Sequence, residues 1–94
     1  MKDYKNSDTL KRLRVILAEM TGNDLSEILP ESHLEADLGL ILEEDFPRLL
    51  PRVTYEFAED DLELDMHEIL EQLEEAGETV LELAKIISEE RDLG

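Results

Sequence analysis

Ninety-four residues, 41% of them hydrophobic, with a formal net charge of −17 and no cysteine, bound this chain to one small domain, 1–94, with a core of Leu, Ile, Val and Met. The missing cysteine excludes disulfides, thiolate zinc sites and cysteine nucleophiles, and the negative charge argues against nucleic acid, whose phosphates would repel it. No apolar run approaches the roughly 20 residues of a membrane span. The basic start MKDYKNSDTLKRLR lacks the apolar stretch of a secretory signal, so a soluble cytoplasmic protein without membrane insertion is expected.

In chain order, residues 8–21 read as the first helix. Leu10, Leu13, Leu17 and Met20 recur on one stripe, widened by Val15, Ile16 and Ala18. Ser7 or Asp8 is expected to cap its start and Gly22 to form a left-handed C-cap. Residues 23–42 follow as a long connection. It has a helical turn at 24–28 stopped by Pro30, and capping-box spacing in Ser32-His33-Leu34-Glu35. Its anchors Leu25, Ile28, Leu29, Leu34, Leu38 and Leu40 should pin it across helices.

The second helix is expected over 43–58, with Leu49, Leu50, Val53, Thr54 and Phe57 on its stripe. Pro47 suits a first turn. Pro51 in a helix interior would cost ~3 kcal/mol, which starts the regular helix near Arg48 or kinks it at Pro51. Arg48 and Arg52 should pair with Glu44 and Glu56 at helical spacing. Asp65 opens a third helix, 65–76, with Met66, Ile69, Leu70 and Leu73 on one face and Gly77 at its end. Thr79-Val80-Leu81-Glu82 opens the fourth, 79–90, with Val80, Leu83, Ala84 and Ile87 inward. No segment alternates with period two. The expected fold is all-α, a small four-helix bundle with a long first connection, flexible ends at 1–7 and 91–94, and Leu17, Leu38, Phe57 and Ile87 inside.

The charge is uneven. Residues 1–22 hold five Lys/Arg against three Asp/Glu, whereas residues 23–94 hold four against 23. From Val53 to Ala84 there are 12 acids and no Lys or Arg, a pattern that suits a solvated face or a docking surface for basic partners. Asp61-Leu62-Glu63-Leu64-Asp65 suggests an EF-hand loop. Met66 and Gln72, however, stand where that loop needs Gly and Glu, so no metal site is assigned. His33 and His67 lack metal-ligand spacing and read as surface residues beside helix caps. No nucleophile elbow or ordered triad spacing is present, so no catalytic residue and no enzyme activity are expected.

Several pieces together resemble an acyl carrier protein: VILAEMTG at 15–22, DLSEILPES at 24–32, LEADLGL at 34–40, YEF at 55–57 and TVLELAKII at 79–87. Their order and spacing cover residues 8–90. The resemblance implies an Asp-Leu-Gly segment followed by a serine that carries phosphopantetheine at the start of the second helix. Here that position is Leu42, or Glu43 if the second helix is matched from its Tyr-Glu-Phe end. Neither offers a hydroxyl. The serines are Ser7, Ser26, Ser32 and Ser88, and none follows Asp37-Leu38-Gly39. The chain also holds about eight extra residues between Phe57 and Thr79 relative to a typical carrier, which lengthens the third helix.

The expected function is that of a non-catalytic, carrier-like module without a prosthetic group or other cofactor, acting as an acidic interaction or regulatory domain. A basic protein surface is its expected partner, met by Leu40, Ile41, Leu42, Glu43, Glu44, Glu56, Glu59, Asp60 and Asp61. The alternative is a working acyl or peptidyl carrier of lipid or polyketide synthesis with an unconventional attachment site.

Overall fold

Four helices follow one another: α1 (Lys2–Thr21), α2 (Leu42–Glu56), α3 (Met66–Ala76) and α4 (Val80–Leu93). The structure, a computed structural model, describes the backbone of residues 2–93 and the side chains of residues 8–91. Short 3-10 turns lie at Leu25–Glu27 and Ala58–Asp60. Among the described residues the only β-type pairing is a single bridge between His33 and Thr79. The chain is a small all-α four-helix bundle with a long first connection.

The helices form where apolar spacing and caps agree. Leu13, Ile16 and Leu17 of α1 and Leu83, Ala84 and Ile87 of α4 belong to one buried core, and α1 with α4 is the most extensive helix pair, while α2 lies on α1 and α3. Leu17, Leu38, Phe57 and Ile87 are all buried. Val15, expected to widen the inward stripe, is exposed, because the buried arc of α1 is centred on Leu13 and Leu17. Gly22 has φ +76° and its N–H donates to Ala18 O at 3.0 Å, the left-handed stop that the sequence suggests. Asp65 accepts from the Glu68 N–H at 3.2 Å and Thr79 from the Glu82 N–H at 3.3 Å, capping α3 and α4.

Four local expectations need correction. First, α1 starts at Lys2 rather than at Asp8, so neither Ser7 nor Asp8 is its N-cap. The Asp8 carboxylate instead faces Arg12 and Arg91. The flexible ends expected at 1–7 and 91–94 fall outside the described side chains, except at Arg91, which is buried.

Second, α2 runs without interruption through Pro47 and Pro51. Each proline removes an N–H that would have bonded to the carbonyl four residues earlier, on Glu43 and on Pro47. Those residues lie with Pro51 on the exposed side of the helix, where solvent can satisfy the orphaned carbonyls.

Third, Leu25 and Leu29 are exposed while Ile28, Leu34, Leu38 and Leu40 are buried. The turn is held through its backbone instead: the Arg14 guanidinium donates to the carbonyls of Leu25 and Ile28.

Fourth, Ser32 caps no new helix. Its hydroxyl accepts from the Leu29 N–H at 3.0 Å, and the carbonyls of Pro30 and Ser32 accept from the Leu81 and Val80 N–H groups at the start of α4. His33 organises the turn that follows. Its Nδ1 accepts from the Glu35 and Ala36 N–H groups at 3.2 and 3.0 Å, and its own N–H donates to Asp37 at 2.7 Å.

Candidate functional site

The start of α2 is where a carrier-type attachment site would stand. Leu42 is its first residue, and its side chain is only 4% exposed, turned into the core beside Leu38 and Leu40. Glu43 and Glu44 are exposed and make no ion pair among the described residues. Ile41 is the N-cap and has no side-chain oxygen to offer. Asp45 reaches back to accept from the Ile41 N–H at 2.7 Å and also holds Arg48 at 3.0 Å. These two bonds, the backbone one first, hold the Asp45 carboxyl below its ordinary range. Three acids in the first turn also complement the helix dipole. Of the apolar trio expected to meet a partner, Leu40 and Leu42 are therefore core residues, and only Ile41 faces outward, at 54% exposure.

The acids expected on the same docking surface divide in two. Arg12 of α1 donates to Glu56 at 2.8 Å, to Glu59 at 3.0 Å and to the Glu56 carbonyl at 2.6 Å. Arg91 of α4 holds Asp60 at 2.7 Å and Asp8 at 3.0 Å. Both guanidiniums lie over the buried Phe57 ring, 4.3 and 4.5 Å from its centroid. This latch ties α1 and α4 to the end of α2.

The latch also sets the local protonation. Burial alone would lower the Arg12 guanidinium, but its bonds to Glu56, Glu59 and Asp8 raise it above its ordinary value. Hydrogen bonding from Arg91 and then Arg12 outweighs burial and lowers Asp8. Glu59 is lowered by its own backbone N–H first and then by Arg12. Glu56, Glu59 and Asp60 are thus partnered inside the molecule. Arg48 and Arg52, expected to pair with Glu44 and Glu56, pair with Asp45 and Glu19 instead. Lys85 lies 3.4 Å from Glu82 and His33 Nε2 lies 3.6 Å from Glu78.

Asp61, Glu63, Glu68, Glu71, Glu74 and Glu75 are exposed and make no ion pair among the described residues. Asp61 holds a left-handed backbone, φ 53°, at the end of the Ala58–Asp60 turn. This turn and α2 border an open, shallow cleft of about 540 Å³ lined mainly by Leu50, Pro51, Tyr55, Ala58, Leu62 and Leu64. Tyr55, 85% exposed, stands at its edge. On the other side of Pro51 and Tyr55 a second cleft of about 440 Å³ opens onto Val15 and Ile16 of α1. At Leu64 the first cleft meets a groove of about 160 Å³ that Glu63, Asp65, Glu68 and Glu90 line.

The chain matches no family model, and no curated protein or solved structure shows significant similarity to it. The site must therefore be read from its own chemistry. Among the described residues no group of three or more His, Asp or Glu side chains is arranged to hold a metal ion, and no helix is long and apolar enough to cross a membrane.

Sequence reasoning missed the Tyr55 cleft altogether. A signal was present: Pro47, Pro51 and Tyr55 repeat every fourth residue, which places them on one face of any helix that tolerates the prolines.

Proposed function

We propose that this chain is a non-catalytic acidic docking module, built on a helical frame that resembles an acyl carrier protein but carries no prosthetic group. The observation that carries the reading is the set of exposed carboxylates that make no ion pair among the described residues: Glu43, Glu44, Asp61 and Glu63, and along α3 Glu68, Glu71, Glu74 and Glu75. Carboxylates left without cations inside the fold are available to cations outside it. Their summed field would steer a basic partner and set its orientation. Glu56, Glu59 and Asp60, consumed by the latch, drop out of the docking surface, as do the buried Leu40 and Leu42.

The same geometry bears on the prosthetic group. Phosphopantetheine needs a hydroxyl for its phosphodiester. Leu42 has none and points inward, and Glu43 offers only a carboxylate. Among the serines with described side chains, Ser32 and Ser88 are buried and only Ser26, on the Leu25–Glu27 turn, is exposed. A working carrier with an unconventional attachment point would need Ser26 or Ser7.

The test is intact mass after incubation with coenzyme A and a broad-specificity phosphopantetheinyl transferase. An unchanged mass is expected. A phosphopantetheine increment mapped to any serine would overturn the reading and favour the working carrier.

A further inference from the structure

We propose that the cleft beside Tyr55, with the carboxylate groove that joins it at Leu64, docks a cationic amphipathic helix of a partner protein. The inference rests on the docking reading above and gives that reading a place and an occupant. Three observations converge on it. The cleft is apolar, floored by Leu50 and Leu62, and large enough at about 540 Å³ to take bulky aliphatic or aromatic side chains. Its edge is a Tyr that is 85% exposed beside the exposed Pro51. Aromatic side chains of this kind are enriched at the anchor points of interfaces, where they bring large area at small entropy cost.

The third observation decides the occupant. Leu64 lines both the apolar cleft and the groove bordered by Glu63, Glu68 and Glu90, so carboxylates stand next to the apolar lining. Asp61 adds a carboxylate to the cleft wall. A helix with one apolar stripe bordered by Lys or Arg matches both parts at once, its stripe in the cleft and its cations over the groove. An uncharged apolar ligand would leave the groove unused. An acidic partner would be repelled by it, and a second copy of this chain would bring 26 acids of its own against nine bases.

The experiment is amide NMR of the full chain, titrated with a Leu–Lys amphipathic peptide of about 18 residues, long enough to form a helix. A Ser–Lys peptide of equal charge and the Tyr55→Ser variant serve as controls. Tyr55 is exposed, so its replacement should leave the fold intact. The expected result is a set of shifts centred on Leu50, Thr54, Tyr55, Leu62 and Leu64 and extending to Glu63 and Glu68. Tyr55→Ser, or the exchange of Leu for Ser in the peptide, should each weaken binding by about tenfold or more. Glu35→Gln, an exposed acid of the first connection outside the cleft, the groove and the docking set, should change it by less than about twofold.

Shifts centred on residues 41–44, or equal affinity for both peptides, would overturn the cleft as the site while leaving the docking function standing. Failure of both cationic peptides to bind at low salt would defeat the docking function itself. Concentration-dependent dimerisation of the free chain, abolished by Tyr55→Ser, would assign the cleft to a second copy and overturn the proposed occupant.

Discussion

Two acidic regions of this molecule look alike in sequence and behave as opposites in the fold. Around Phe57, the carboxylates of Asp8, Glu56, Glu59 and Asp60 are gathered by Arg12 and Arg91, and both guanidiniums lie over the ring. Along the outside of α3, Glu68, Glu71, Glu74 and Glu75 have no cation among the described residues. The first region spends its charge on holding helices together; the second leaves it to the solvent. A run of acids thus has no single meaning until the fold has distributed the few bases.

The difference can be broken hardest at the ring. Phe57→Ala removes a fully buried aromatic and the platform of both arginines, and should cost about 3–5 kcal/mol in urea unfolding. Arg91→Ala should cost about 3 kcal/mol, the lower end for breaking a buried pair because Asp8 is partly exposed. If the ring and the arginines act as one unit, the double variant will lose less than the sum of the two, by about 0.5–3 kcal/mol. Strict additivity would reduce the latch to independent contacts.

A smaller effect of opposite sign is expected at Pro51. Its replacement by Ala restores a hydrogen bond to the Pro47 carbonyl and should stabilise α2 by about 1–3 kcal/mol, less than the full interior penalty because the unfolded chain gains freedom. A lower melting temperature would mean that the ring itself packs in a way that offsets its cost.

Acid should separate the regions further. Asp8, Asp45 and Glu59 have folded pKa values below their ordinary 3.8, 3.8 and 4.5. Lowered values mean that their stabilisation is complete above pH 4.5 and is lost as the pH falls past 3.8 through the lower folded values. Asp8→Asn should therefore melt lower than wild type at neutral pH and show a shallower loss between pH 4 and pH 2, read from melting curves across that range. By contrast, Glu71→Gln on the free face should change neutral-pH stability by no more than about 0.5 kcal/mol.

Much of this organisation was legible in the sequence, for reasons that are local. The 3.6-residue spacing of Leu13 and Leu17, the Asp65 and Thr79 caps, and Gly22 each act within a turn or two of chain, so the four helices could be read directly. The latch could not. Arg91 meets Asp8 across nearly the whole chain, and its position near the end made it look loose. The direction of Leu40 and Leu42 was likewise hidden. Which face of a connection turns inward depends on the helices it crosses, not on its own pattern. The span of α2 was legible but its start was left open, because a proline penalty of ~3 kcal/mol looks decisive locally, whereas burial of Phe46, Leu49, Leu50 and Val53 on the opposite side outweighs it.

The most direct test of the division between spent and free charge is the salt dependence of melting. Raising NaCl from about 0.01 M to about 0.1 M shortens the screening length from ~30 Å to ~10 Å, which relieves repulsion on the open α3 face more than it weakens the partly buried latch. The wild-type melting temperature should rise over that range, and rise further with Mg²⁺ at matched ionic strength. A variant with Glu68, Glu71, Glu74 and Glu75 all changed to Gln should start higher at low salt and lose most of that rise. Identical salt slopes for the two proteins, or a wild-type melting temperature that falls as salt is added, would contradict the account: the α3 carboxylates would then carry no unrelieved repulsion.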